Sequence, residues 1–190
     1  MKPADLLSIL HTAERLKDVT RHAYTSAGRH ESVAEHSWRL CLMAFFLRDE
    51  FPEVDMDKVI RMCIIHDLGE AFTGDIPSFY KTAADEEKEE SLLQTWVQSL
   101  PEEKRDEMQA LYAEMDARET PEAKIYKAID GLEAVIQHNL SDISTWLPNE
   151  YTLNQTYAQE RVGFSAFLTE LREEMRKDTL AKIENAKNEG

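Results

Sequence analysis

Two histidines and two aspartates lie on predicted helices where side chains face inward or where a helix ends. His36 falls in an apolar stripe, His66 and Asp67 follow a strongly apolar segment, and Asp130 lies at the edge of a third apolar stripe. Two imidazoles and two carboxylates suit a divalent transition ion and leave coordination positions open to water. The sequence therefore predicts a metal site if three helices converge at these residues.

The adjacent pair His66 and Asp67 sets a condition on the backbone. Neighbouring residues on an ideal helix point about 100° apart, so both side chains reach one ion only where the helix ends or is distorted. Gly69 supplies such an end. A single inward histidine such as His36 is more often a hydrogen-bonded core residue, so the prediction depends on the combination of residues.

The elements that must position these groups are helical. With six Gly and six Pro in 190 residues, the periodic segments are long and rarely interrupted. Polar connectors occupy 18–32 and 69–82. Together these features predict an all-α fold with one domain over 1–190. Helices are expected at 4–17, 33–50, 56–68, 83–99, 101–117, 121–139 and 154–186, the last with a possible interruption.

Three of the predicted helix starts have a physical reason. Ser32 and Glu35 form a capping-box pattern, in which each side chain accepts a hydrogen bond from the other residue's backbone. Asp55 suits the cap position of the third helix. Thr120 precedes Pro121, which places a cap residue before a proline at the first helical position.

Composition limits the partners. The chain has 22 Lys and Arg against 37 Asp and Glu, a formal charge of −15, which argues against nucleic acid polymers and anionic membranes. The longest apolar run, 40–47, is far below the roughly 20 residues that span a bilayer. Cys41 and Cys63 lack CxxC spacing and are expected to be reduced thiols. We therefore expect a cytoplasmic protein that takes a small molecule.

Three short boxes resemble the HD-domain metal-dependent phosphohydrolases, whose signature is H…HD…D. The boxes lie at 31–37, 66–76 and 122–130, and they are similar to the 5′-deoxynucleotidase branch of that family. The resemblance covers about 5–140, with the C-terminal helices at about 154–186 outside it. It implies a compact single HD domain with one divalent ion, a nucleoside 5′-monophosphate substrate and a homodimer. The implied metal ligands are those already named: His36, His66, Asp67 and Asp130.

The resemblance also implies roles for five other residues. Glu70 and Asp75 correspond to catalytic carboxylates. Without the resemblance, Glu70 would be interpreted as a solvated residue at a helix end and Asp75 as a residue that stabilises a turn. Arg21 corresponds to a phosphate clamp, for which planar arginine is well suited. His22 stands where the family has a tryptophan linked to sugar selectivity, and Glu114 is assigned to the base or sugar pocket by analogy.

Two alternatives stay open at the sequence level. The chain could be a non-catalytic helical binding module with a structural metal, or an HD phosphohydrolase for another small phosphate ester. A dinuclear site is disfavoured because no histidine lies between His66 and His138, and we expect His138, like His11 and His30, to be a surface or structural residue. The sequence leaves open the ion (Mn, Co, Zn, Fe or Ni), the base, the preference for deoxyribose, the physiological substrate and the oligomeric state.

Overall fold

The computed structural model describes residues 1–189, which form a mostly helical fold with one two-stranded sheet. The all-α class predicted from the sequence is confirmed. In chain order the elements are α1 (Pro3–Glu14), β1 (Thr20–Tyr24), β2 (His30–Ser32), α2 (Val33–Phe46), α3 (Met56–Ile65), α4 (Glu70–Thr73), α5 (Ala83–Gln98), α6 (Glu102–Ala117), α7 (Pro121–Leu140), α8 (Glu150–Thr156) and α9 (Ala166–Glu189).

The predicted caps start the helices that matter for the site. Ser32 and Glu35 form the reciprocal capping box of α2. The Asp55 side chain accepts a backbone hydrogen bond at the start of α3, and Thr120 does the same at the start of α7, ahead of Pro121. These caps satisfy backbone donors that lack partners within the helix, so they fix where each helix begins.

The core lies where α2, α3 and α7 pack against one another. Leu40 of α2, Val59 of α3 and Ile129 of α7 are all fully buried there. Burial of such side chains contributes roughly 1.5–3 kcal/mol each. The three helices that carry or directly precede the predicted metal ligands are therefore held together by the hydrophobic core itself.

The structure corrects two parts of the predicted layout. The connector 18–32 contains a hairpin, in which β1 pairs antiparallel with β2 and Gly28 adopts φ +81° in the turn. Both strands are short and largely polar, so they lack the apolar alternation that marks a strand. The predicted helix 154–186, for which an interruption was expected as an option, is two helices, α8 and α9, separated by an irregular segment where Ala158 has φ +62°, and α8 starts at Glu150 rather than at residue 154.

Helix ends differ by a few residues elsewhere. α2 ends at Phe46 rather than at residue 50, and a 3₁₀ turn covers 48–50. α3 ends at Ile65 rather than at residue 68. Within the described part of the chain, none of the helices combines the length and the apolar character needed to cross a bilayer.

Candidate active site

Three helices bring the four predicted metal ligands together. His36 Nε2 of α2 lies 3.2 Å from His66 Nε2 and 3.3 Å from Asp130 Oδ1 of α7. His66 Nε2 lies 2.9 Å from Asp67 Oδ2. We call these four residues the His–Asp cluster. Because α3 ends at Ile65, His66 and Asp67 lie in the turn that follows, where both side chains can face one point.

The protein fixes the orientation of both imidazoles. His36 Nδ1 is hydrogen-bonded to the carboxylate of Glu133, which is fully buried and also accepts from Arg39 Nε at 2.6 Å. His66 Nδ1 donates to the carbonyl of Cys63 at 2.9 Å. Holding Nδ1 in this way leaves Nε2 of each ring free to bind a metal, which is the usual arrangement around metal-binding histidines.

Basic neighbours favour the charged form of the two carboxylates of the cluster. Burial opposes their ionisation, but His66 holds the pKa of Asp67 below its ordinary value. Lys127 Nζ, 2.8 Å from Asp130 Oδ2, does the same for the pKa of Asp130. Two anionic oxygens and two free imidazole nitrogens converge, so the residues present fit a divalent transition ion.

A cavity of about 260 Å³ lies over the cluster, just below the roughly 300–1,000 Å³ that is typical of small-molecule sites. His36, Asp67 and Asp130 contribute to its wall. The cavity is also lined by four residues to which the sequence comparison gave roles: Arg21, His22, Glu70 and Asp75.

Glu70 is a buried carboxyl group beside the cluster. It begins α4 and is 7% exposed, and its Oε2 has no hydrogen-bond partner within residues 1–189. Burial and the nearby charges of Asp67 and Asp75 raise the pKa of Glu70 to about 10. A carboxyl group so placed can carry a proton at neutral pH, which is what an acid/base group beside a reacting phosphate requires.

Asp75 reaches the cavity from the turn after α4. Gly74, with φ +79°, makes that turn possible without backbone strain. Burial raises the pKa of Asp75, although Arg21 opposes the shift. Asp75 therefore lies in the same electrostatic network as Glu70.

Arg21 projects from β1 into the cavity wall. Its Nη1 lies 3.1 Å from Glu31 Oε2 and 3.3 Å from Glu133 Oε2, so two buried carboxylates hold the guanidinium in place. The side chain keeps 15% exposure. A fixed guanidinium at the wall of a cavity is well suited to an anionic group such as phosphate.

His22, His138 and Glu150 form a second group at the wall of the same cavity, which we call the His–Glu cluster. His22 Nε2 lies 2.6 Å and His138 Nε2 3.4 Å from the same atom, Glu150 Oε1. Burial lowers the pKa of His138 to about 4. The expectation that His138 is a surface or structural residue missed its place in the cavity wall. In the sequence, the one indication of this place was that His138 follows Asp130 by two helical turns.

Glu114 does not line the cavity. Its Oε1 pairs with Lys58 Nζ at 2.9 Å and accepts a hydrogen bond from Thr120 Oγ1, which ties α6 to α3 and to the start of α7. The position of Glu114 therefore gives its predicted role in the base or sugar pocket no support. Glu133 was missed by the sequence reasoning, although it lies one turn after Asp130 on an inward face of α7.

Known proteins and one family model are similar to most of this chain. The HD domain model of one protein family matches residues 13–172. The 5′-deoxynucleotidase HDDC2 of Mus musculus is 33% identical over 138 residues, covering 70% of this chain and 68% of that protein. The 5′-deoxynucleotidase hdd1 of Schizosaccharomyces pombe is 26% identical over 144 residues, covering 72% of each chain.

Solved structures show the same fold. A structure from Magnetospirillum magnetotacticum, described as a predicted metal-dependent phosphohydrolase, matches with a TM-score of 0.80 at 27% identity and covers 94% of this chain and 95% of that chain. An HD-domain phosphohydrolase from Listeria innocua matches with a TM-score of 0.69 at 21% identity, which supports the fold alone. The chain therefore belongs to the HD domain family, and its resemblance to the 5′-deoxynucleotidase branch, predicted from three sequence boxes, is confirmed.

Proposed function

We propose that the chain is a metal-dependent phosphohydrolase that removes the 5′-phosphate from deoxynucleoside monophosphates. The observation that carries this proposal is the convergence of the His–Asp cluster, with both free Nε2 atoms and two charged carboxylates, next to the buried Glu70. The names of the similar proteins, 5′-deoxynucleotidases in mouse and fission yeast, support the substrate class.

The residues divide the work as follows. His36, His66, Asp67 and Asp130 hold one divalent ion, which when bound polarises a phosphoryl oxygen and makes water more acidic. Manganese, cobalt, zinc, iron and nickel all fit such nitrogen and oxygen ligands. Arg21 binds the phosphate, because its guanidinium is already fixed by Glu31 and Glu133 at the cavity wall.

Glu70 and Asp75 move protons. Hydrolysis of a phosphate monoester needs a proton removed from the attacking water and a proton delivered to the leaving 5′-oxygen. Glu70, whose pKa is raised by burial and by Asp67, is the group we assign to delivering the proton to the leaving 5′-oxygen, and we assign Asp75 beside it to taking the proton from the attacking water. His22 lies at the cavity wall where it can contact the sugar.

A non-catalytic protein with a structural ion is the main alternative. A structural ion needs only its ligands, and it gives no reason to bury an unpaired carboxyl oxygen at the cavity. Glu70 Oε2 is such an oxygen within the described chain, and burying it costs roughly 1–3 kcal/mol. This cost favours an enzyme, in which the group has a reaction partner.

Phosphate release tests the proposal. Purified protein loaded with manganese, cobalt or zinc is assayed against each deoxynucleoside 5′-monophosphate, its ribose counterpart and a generic aryl phosphate. Metal-dependent release from the deoxynucleotides supports the proposal. Release from the aryl phosphate alone would indicate that the substrate is a different phosphate ester. No release with metal bound would indicate a non-catalytic protein with a structural ion.

We further propose that the chain forms one HD domain, is cytoplasmic and assembles as a homodimer. Packing of α9 on α7 supports the single domain, and the free thiols Cys41 and Cys63 support a reducing compartment. Trp38, Phe45 and Phe46 on α2 are 65%, 53% and 72% exposed, an apolar surface suited to a second copy. Light-scattering mass of the wild type and of a Phe46→Asp variant tests the dimer.

A further inference from the structure

We propose that the His–Glu cluster is a second divalent-metal site, at the same cavity as the His–Asp cluster. Nitrogen atoms of His22 and His138 and an oxygen of Glu150 lie within 4.8 Å of one another. Two imidazoles and one carboxylate on three separate elements form a common ligand set for zinc, cobalt or iron. The inference stands on these residues alone, does not depend on the substrate proposed above, and gives His22 the role of a metal ligand in place of the sugar contact.

One of the distances between the ligand atoms already matches a shared ion, and the other is a hydrogen bond that an ion would replace. Ligands about 2.0–2.1 Å from a tetrahedral zinc lie about 3.4 Å apart. His138 Nε2 and Glu150 Oε1 are 3.4 Å apart, which is long for a hydrogen bond, and His22 Nε2 approaches the same oxygen at 2.6 Å. Both rings therefore present the same type of atom, Nε2, to one carboxylate oxygen.

The backbone holds the carboxylate in place. Glu150 is 1% exposed, and its other oxygen, Oε2, accepts the backbone N–H of Leu147 at 2.6 Å. The ring of Trp146 packs edge-on against His138, and its Nε1 donates to the His138 carbonyl at 3.0 Å. These contacts fix Glu150 and His138. They leave Glu150 Oε1 and His138 Nε2 available to a metal ion, in the way that neighbouring groups commonly orient metal-binding side chains.

A second observation points to a ligand at this wall. Asn154 lies one turn after Glu150 on α8, is 3% exposed and lines the same cavity. In the described chain its Nδ2 has no hydrogen-bond partner. A buried donor of this kind requires an acceptor oxygen, which water or an anion bound to an ion at the His–Glu cluster provides.

Access to the cluster comes from the cavity. The His22 side chain is 28% exposed, whereas those of His138 and Glu150 are nearly buried. An ion held here shares its cavity with one held by His36, Asp67 and Asp130. With this site the chain would hold two ions, whereas the sequence resemblance implies one.

Metal stoichiometry of the full chain tests the inference. The protein is equilibrated with excess Zn²⁺, dialysed and analysed by mass spectrometry for metal per chain. We expect two ions in the wild type, one in His22→Ala, one in Asp67→Ala and none in the double variant. His11→Ala, which removes an exposed histidine outside both clusters, should keep two. One ion in the wild type, or two in His22→Ala, would overturn the proposal.

Cobalt gives an independent readout on a chain that retains only one cluster. Asp67→Ala titrated with Co²⁺ should develop a visible absorption band that saturates at one equivalent. The band should be missing from the double variant that carries both Asp67→Ala and Glu150→Gln. Because Glu150 is buried, circular dichroism melts must first show that the variant folds, and His22→Ala, at a less buried side chain, replaces it if it does not. A featureless Co²⁺ titration of folded Asp67→Ala would contradict the second site.

Discussion

The two clusters that share the cavity differ in how the chain builds them. The His–Asp cluster lies on α2, α7 and the turn after α3, elements that the hydrophobic core packs together. The His–Glu cluster joins a strand of the hairpin, the end of α7 and the first turn of α8, and His22 and Glu150 are 128 residues apart. The first cluster is thus part of the core architecture, whereas the second depends on the hairpin and on α8, which are not among the three helices that form that core.

Removing a ligand from the first cluster should have the largest effect. Asp67→Ala removes a charged oxygen that faces both imidazoles, so we expect the loss of one ion per chain and phosphate release at background level. Asp106→Ala, an exposed aspartate on α6, is the matched control and should retain both ion and activity. If Asp67→Ala kept its activity, the comparison would fail, because catalysis would not depend on the His–Asp cluster.

A change at Glu70 should separate chemistry from metal binding. Glu70→Gln keeps the shape of the side chain and removes its proton transfer, so kcat should fall by about 10²–10⁴-fold while metal content stays the same. The exposed Glu87→Gln on α5 serves as the control. Steady-state kinetics with metal analysis of the same sample checks this, and a loss of metal in Glu70→Gln would instead make Glu70 a ligand.

The two clusters differ in the groups that hold their ligands in place, and a change at Glu133 tests this difference. Glu133 orients His36 from a fully buried position, so Glu133→Gln should weaken binding of the first ion by about 10–100-fold. The second cluster has a backbone N–H in the equivalent role and should be unaffected. Calorimetric titration measures both sites, and equal affinities in variant and wild type would show that Glu133 only packs.

The smallest effect should come from Glu35, which adjoins His36 in sequence but belongs to neither cluster. The hydrogen bond from Arg29, followed by the backbone N–H of Ser32, lowers the pKa of Glu35 to about 2 from its ordinary 4.5. A depressed pKa stabilises the fold above pH 4.5, and this contribution is lost as the pH falls towards 2.

Thermal melts of Glu35→Gln should therefore show a pH-dependent difference from the wild type. We expect a destabilisation of at most about 1 kcal/mol at pH 6, since the pair is largely exposed, and a smaller difference at pH 3. Metal content should match the wild type at pH 7. A difference that grew towards pH 3 would contradict the assigned pKa shift.

The comparison also explains what the sequence could predict. Helical periodicity and three caps located the main helices, and the position of His36 in an apolar stripe was enough to turn it inward. The hairpin was missed because its strands carry polar residues, and α8 because no periodic pattern separates it from α9. His22 and Glu150 lie on those two segments, so no local signal linked them to each other or to His138.

Glu133 and Glu114 show, at single residues, that the sequence does not identify the partner of a side chain. Both are acidic residues on helices close in sequence to the third box, and only the packing distinguishes the buried Glu133, which holds His36, from Glu114, which pairs with Lys58. Spacing identifies the face on which a side chain lies. Its partner depends on which element covers that face.

Anomalous diffraction from crystals grown with Mn²⁺ tests the central claim most directly. We expect a peak about 2.0–2.2 Å from His36 Nε2, His66 Nε2, Asp67 and Asp130, with Glu70 outside that distance. An anomalous map with no peak among these four side chains, from crystals whose protein binds manganese in solution, would contradict the account.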